Sequence, residues 1–455
     1  MKKQGLYILI LFIAISCKTA SNPKEMFLKK FKCGSIIDKV ECKSTGDQTY
    51  CLYLPSNYDI NKTLPVIYAF DPHGDGRIPV ELLKEIAEKL HYVVIGSNNI
   101  RNGLGQEDIN YSLNQLLNDT KNKLALDTNR IYLIGFSGGA RVASSLAQSL
   151  TGVKGLIACS AGFQPGSIAP VYPIIGISSL GDMNYLEMKK LDAGLQKLNA
   201  ATQLILFNGK HEWPPKSVLN EAVTILELYA MRAQIIPQNK MIIDEFKEVN
   251  TERVKMMTHG NVIDSFVNAY NILKRTISVL NNLTDLTQQQ NILKIITVSY
   301  RTFKEQADYE TYEDQKQQEF KAAFENKQDN WWNAELKKLD IDSKDQNSMK
   351  SNTAKRLKGY ISLSCYSYSN RALQSQDWIY ADLFTNIYLK VDPENPDSHY
   401  ASACLYANTN QKEKAINALK TAIKLGFSNK NKLQNDALLN PLHGMPEFDS
   451  LMNSR

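Results

Sequence analysis

A hydroxyl, a carboxylate and an imidazole occur in a fixed order along this chain, each just after an apolar run. Ser137 lies in Gly135-Phe-Ser137-Gly138-Gly139, directly behind the apolar segment that begins at Arg130. Asp182 follows 45 residues later in Ile177-Ser-Ser-Leu-Gly-Asp182-Met-Asn-Tyr, and His211 another 29 residues on in Leu206-Phe-Asn-Gly-Lys-His211-Glu-Trp. A serine hydroxyl is a poor nucleophile at neutral pH. It becomes a good one when a histidine accepts its proton and returns it to the leaving group, while a carboxylate holds the imidazole tautomer and stabilises its cation. Acyl transfer through a serine ester is the chemistry that such a set would perform.

Those side chains need elements to hold them. Gly-x-Ser-x-Gly between a strand and a helix places the serine in a strained conformation at a sharp turn, which only glycine-sized neighbours tolerate; Gly135, Gly138 and Gly139 supply that room. The turn lifts the hydroxyl out at the carboxyl edge of a sheet and aims the positive helix end at it. From about Gly34 to Ala230 short β-rich runs alternate with amphipathic stretches. Strands are expected at Gln48–Tyr53, Leu64–Phe70, Tyr92–Ser97, Arg130–Gly135, Gly155–Ser160, Ile174–Ser178 and Gln203–Phe207. Helices are expected at Pro79–Leu90, Ile109–Leu124, Gly139–Leu150, Asn184–Leu198 and Pro215–Ala230. This is the pattern of an α/β protein with a mostly parallel, doubly wound sheet. Asp182 and His211 then lie on loops at the carboxyl ends of strands, where such sheets gather their chemistry. His91 opens a strand at the opposite edge, Asp192 lies inside a helix, and Glu212 is too close in sequence to orient its neighbour's ring.

With elbow, acid and histidine in that order, residues 35 to 232 resemble the α/β-hydrolase family, specifically its secreted esterase and depolymerase-like members. The resemblance implies Ser137 as nucleophile, Asp182 as acid and His211 as base. It also implies an oxyanion hole, one donor being the backbone N–H of Gly138 and the other coming from the loop after Leu64–Phe70. That loop, Asp71-Pro-His73-Gly74-Asp75-Gly76, is similar to the family's His-Gly turn, with His73 as scaffold and the N–H of Asp75 or Gly74 as donor. The acidic side chain of Asp75 departs from the family pattern. Ser97-Asn98-Asn99, Arg141 and Trp213 are neighbours that could line a cleft or simply pack.

The remaining composition narrows the function classes. Hydrophobic residues at 43% can fill a sizeable core, which excludes a mainly disordered chain. A net charge of +6, without a long basic block, gives no reason to expect nucleic acid as a partner. Six histidines, with no Cys-x-x-Cys and no His-Glu-x-x-His, leave no metal or cofactor to expect. At the N-terminus Lys2 and Lys3 precede the apolar run Leu6 to Ile15, too short to span a bilayer but suited to a signal peptide of residues 1–16. Ala14-Ile15-Ser16-Cys17 resembles the lipobox of bacterial lipoproteins, which implies lipidation of Cys17, a linker over 17–34, and a cell-envelope protein on the periplasmic face or the cell surface. An ordinary secretory signal cleaved near Ala20 is the alternative. Export also makes a disulfide permissible, and Cys33, Cys42 and Cys51 admit one bridge, whereas Cys159, Cys365 and Cys404 sit in apolar segments and read as core.

Past Gln238 strand signals fade and helical periodicity runs to the C-terminus. A boundary is expected near 235 to 242, with a hydrolase domain over 35–235 and an all-α domain over 240–455. Within the latter, Pro396 to Gly426 resembles a tetratricopeptide helix pair, with Ala403 and Ala415 at the close-packing positions. One 34-residue period earlier stand Ser369 and Ala381, so the repeats cover about 357–426. Helices between Lys240 and Lys327 are expected to complete or cap the array, and Asp329 to Met349 to form an exposed connection.

The leading expectation is a lipid-anchored serine hydrolase acting on a small or polymeric ester. A serine peptidase with the same three residues is the nearest alternative. A binding module, with the repeats engaging a protein partner and the hydrolase half a scaffold, is the other.

Overall fold

In the strand Leu126–Phe136, Ile131 and Leu133 enter one apolar core while Tyr132, Ile134 and Phe136 enter another, so the strand is buried on both faces. Double burial explains why the strands read as continuous apolar runs. The computed structural model describes residues 23–43, 47–258, 263–296, 300–427 and 430–453. Cys17, the signal segment and part of the linker lie outside the described residues.

Eight strands form one sheet: β1 (Ile36–Glu41), β2 (Thr49–Tyr53), β3 (Leu64–Phe70), β4 (Val93–Ser97), β5 (Leu126–Phe136), β6 (Val153–Cys159), β7 (Ile174–Ser179) and β8 (Thr202–Phe207). Their order is β1-β2-β4-β3-β5-β6-β7-β8, with β1–β2 and β2–β4 antiparallel and all other neighbours parallel. Helices α1 (Pro23–Leu28), α2 (Arg77–Leu90), α3 (Gln106–Lys123), α4 (Gly138–Ser149), α5 (Tyr185–Lys197) and α6 (Lys216–Arg232) cover its faces. This is a doubly wound, mostly parallel α/β architecture, with a helical region after it. β1 is the strand that the sequence reading misses. Only Val40 of its six residues is buried, and its register shifts between Ile37 and Val40, so it carries no alternating apolar signal.

The helical region comprises α7 (Lys240–Thr258), α8 (Ile263–Leu280), α9 (Thr287–Ile295), α10 (Tyr300–Asn326), α11 (Asp329–Asp342), α12 (Ser348–Gln374), α13 (Trp378–Val391), α14 (Pro396–Asn408) and α15 (Lys412–Lys424). Short helical pieces end the chain. The change in sequence character near residue 240 is not a break in packing. Ile243 and Phe246 of α7 and Val279 and Leu280 of α8 join the core beneath α2 and α6. α7 and α8 therefore pack with the sheet, whereas α10 and α11 share a core with α12 to α15.

Two further readings are corrected. Asp329 to Met349 is not an exposed connection: α11 fills most of it, and Trp332 is fully buried, its ring centroid 5.9 Å from that of Phe320 and 4.6 Å from that of Phe324. The charged residues line the outer face of that helix and mask its apolar seam. Cys33, Cys42 and Cys51 are free thiols, with Cys42 and Cys51 in separate cores. Cys159, Cys365 and Cys404 are free and buried. Ser369, Ala381, Ala403 and Ala415 all lose their solvent contact where α12–α13 and α14–α15 pack.

Candidate active site

The strand β5 ends at Phe136 and α4 begins at Gly138, which leaves Ser137 alone to make the turn. Its backbone sits at φ 51°, ψ −123°, a region that residues with a Cβ rarely occupy. The turn is held open by close backbone approach. A Cβ on Gly135 would stand 2.2 Å from the Gly139 carbonyl oxygen, and one on Gly139 would stand 2.0 Å from that of Phe70. A side chain at Gly135 would push the start of α4 off β5, and one at Gly139 would push it off β3.

The hydroxyl so presented meets the two residues that the sequence pairs with it. His211 Nε2 lies 3.0 Å from Ser137 Oγ, and His211 Nδ1 lies 3.0 Å from Asp182 Oδ1. One tautomer satisfies both contacts: Nδ1–H donates to the carboxylate, and the bare Nε2 accepts from the serine hydroxyl. Asp182 is fully buried; its Oδ1 also accepts the Asn184 N–H at 2.8 Å, while its Oδ2 meets no protein donor. The loops that carry acid and histidine continue the pairing of β7 with β8. Leu180 N–H donates to Phe207 O at 2.8 Å, Gly181 N–H to Gly209 O at 3.1 Å, and Ser179 Oγ–H to Lys210 O at 2.9 Å. The His211 ring packs on Phe136, centroids 4.8 Å apart.

The candidate oxyanion donors sit where the loops after β3 and β4 meet the elbow. Gly138 N–H is in the first turn of α4, where the helix offers it no carbonyl. The amide side chain of Asn102 lies against it: a Cβ on Gly138 would stand 1.8 Å from Asn102 Oδ1. In the β3 loop the N–H groups turn back on Asp71. His73 N–H donates to its Oδ1 at 2.8 Å, Gly74 N–H to its carbonyl at 3.1 Å, and Asp75 N–H to its Oδ1 at 3.4 Å. Asp75 thus makes the weakest of these bonds.

Asp71 is the residue that sequence reasoning missed. It is buried, and its Oδ2 accepts the indole N–H of Trp213 at 2.8 Å. Burial pushes its carboxyl up, but hydrogen bonds from His73 and Trp213 outweigh that and hold it below the ordinary carboxylate range. Its oxygens in turn raise the exposed His73 imidazole above its ordinary value. A carboxylate directly after a β-strand was visible in the sequence; its partner, 142 residues away, was not.

The other singled-out residues are already engaged. Arg141 donates to Gly162 O and Glu187, Asn98 to Asp38 O and Thr49, and Glu212 accepts from the Lys210 N–H in its own loop. His91 caps α2 in the left-handed conformation, and Asp192 accepts from Gln196 and Thr202. Among the described residues no cluster of His, Cys, Asp or Glu is gathered as for a metal ion.

No family model and no curated protein matches the chain. Solved structures do resemble part of it. An esterase of Pyrobaculum calidifontis is 15% identical, covering 41% of this chain and 84% of that one, with a TM-score of 0.33. The fluorophosphonate-binding serine hydrolase F of Staphylococcus aureus is 13% identical, covering 42% and 98%, with a TM-score of 0.35. A thermostable esterase from Pseudomonas putida is 13% identical, covering 43% and 82%, also at 0.35.

Proposed function

We propose that this protein is a serine hydrolase that cleaves a carboxylic ester through an acyl-enzyme at Ser137. The observation that carries the reading is the pair of 3.0 Å contacts through which His211 bridges Ser137 and Asp182. In the first half-reaction Ser137 Oγ bonds to the ester carbonyl carbon as its proton moves to His211 Nε2. Asp182, accepting from Nδ1, stabilises the imidazolium that forms. The oxyanion is met by Gly138 N–H, with Asp75 N–H proposed as the second donor because its bond to Asp71 is long enough to exchange. The carbon–oxygen bond to the alcohol then breaks, and the alkoxide leaves with the proton from Nε2. Water repeats the sequence on the acyl-serine, with Nε2 taking its proton and returning it to Ser137 as the acid departs.

The test is labelling of the mature protein with a fluorophosphonate, read by intact mass. One adduct in the wild type, absent in Ser137→Ala and His211→Ala variants that melt like the wild type, is the expected result. An unlabelled wild type, or a labelled Ser137→Ala, overturns the reading.

The same proposal places the enzyme on a membrane surface through Cys17. Support comes from Lys2, Lys3, the Leu6–Ile15 run and the residues 14–17 leading into the cysteine. A Cys17→Ser protein that still fractionates with membranes refutes the anchor. The paired helices α12–α13 and α14–α15, with small residues buried at a 34-residue offset, support a tetratricopeptide-like array beside the hydrolase domain.

A further inference from the structure

The loop between β7 and α5 carries Asp182, and two of its residues, together with the first residue of α5, are gripped from the helical region. Arg356 of α12 donates from Nη1 to the Leu180 carbonyl at 2.8 Å, two residues before the acid. The same guanidinium lies over the Tyr185 ring, 4.3 Å from its centroid, three residues after it. Between them, Met183 packs on Gly359 of α12 so closely that a Cβ there would stand 3.1 Å from the Met183 Cβ. Arg356 is itself immobilised. It donates from Nε and Nη2 to Glu313 Oε2 of α10 at 2.7 and 2.5 Å, and from Nη2 to Thr353 Oγ1 at 3.0 Å. The side chains of Arg356 and Glu313 are 6% and 0% exposed. Nearby, Glu310 of α10 accepts from the Tyr185 hydroxyl at 2.9 Å and from Lys189 Nζ at 2.6 Å.

A buried guanidinium is costly unless its donors are matched, and a buried pair is a poor source of stability compared with apolar packing. What its planar fork does well is fix geometry, because several bonds leave in set directions. Here one of those directions ends on the backbone that bears Asp182. The acid has Oδ1 for both His211 and Asn184, and no protein donor on Oδ2 to hold it. Its placement depends on the loop.

We propose that Arg356 is a positioning residue of the hydrolase, setting the Asp182 loop so that the carboxylate meets His211 Nδ1. The inference rests on the serine hydrolase reading. It makes the helical region a part of the active-site apparatus, acting through a backbone carbonyl without touching substrate.

The test is a double-mutant cycle in the full chain, read as the rate of fluorophosphonate labelling and, with a p-nitrophenyl ester, as kcat and KM. Arg356→Met is expected to slow labelling on the order of a hundredfold and to lower kcat with KM unchanged, as small misplacements of a catalytic group do. In an Asp182→Asn background the same substitution is expected to cost no more than about twofold, because the group that it positions is already lost. Equal losses in both backgrounds, or no loss in the first, overturn the proposal. If Arg356→Met melts early, Arg356→Lys serves: its single ammonium can stay against Glu313 but cannot also reach Leu180. A lysine variant that folds and labels at the wild-type rate overturns it equally. A wild type that never labels removes the hydrolase reading itself, a different outcome from an active wild type indifferent to Arg356.

Discussion

Trp213 donates its indole N–H to Asp71 Oδ2 over 2.8 Å, joining the loop after β3 to the loop that carries His211. Asp71 Oδ1 meanwhile collects the N–H groups of His73 and Asp75. One carboxylate thus ties the proposed oxyanion turn to the proposed base.

Removing either end of that bond should loosen both loops. Trp213→Phe leaves a buried carboxylate oxygen without its donor, and Asp71→Ala frees several N–H groups at once. Each is expected to lower stability by about 1–3 kcal/mol and to reduce turnover as well. Denaturant unfolding together with labelling rates checks this; a Trp213→Phe protein unchanged in both would show that the tie is idle.

Ser137 occupies a backbone region that suits glycine, so the proposed nucleophile is held at a cost in stability. Ser137→Gly should therefore be more stable than Ser137→Ala by about 1 kcal/mol, and neither variant is expected to label with a fluorophosphonate. Equal melting temperatures for the two variants would mean that the elbow relaxes around alanine.

The pairing of His73 with Asp71 predicts a pH dependence. The folded His73 value is raised, so its contribution is full below the unfolded histidine value of about 6.5 and is lost as pH rises through the folded value. The folded Asp71 value is lowered, so its contribution holds above the unfolded carboxyl value of about 3.9 and is lost as pH falls through the folded one. The pair therefore stabilises most in the weakly acidic range between. The stability gap between wild type and His73→Gln should narrow from about pH 5 to about pH 8; a gap that is flat or widens contradicts the pairing.

Trp332 anchors the centre of the helical core against Phe320 and Phe324. Trp332→Ala should cost about 3–5 kcal/mol, and thermal melting reads it directly. A loss below 1 kcal/mol would place the tryptophan at a surface.

Much of this arrangement could be read from local pattern. The apolar run before Ser137 and the glycines around it specify the elbow, because strand burial and the tight turn are both properties of a few consecutive residues. Asp182 and His211 were legible for the same reason, each following a strand end. β1 was not, since its pairing with β2 rests on backbone hydrogen bonds while its side chains stay mostly exposed. α11 was hidden by the lysines and aspartates of its outer face. The links Asp71–Trp213 and Arg356–Leu180 bridge 142 and 176 residues, and no local pattern announces them.

The grip of α10 and α12 on the acid loop also bears on how this chain could be recombined. Swapping in a foreign helical array for residues beyond the sheet would carry away Glu313, Arg356 and Gly359 together, leaving the Leu180 carbonyl and the Tyr185 ring facing whatever came next. A working graft would have to transplant that patch of α10 and α12 intact. The two halves are modular in outline, but one of the joints between them lies a few residues from the proposed catalytic acid.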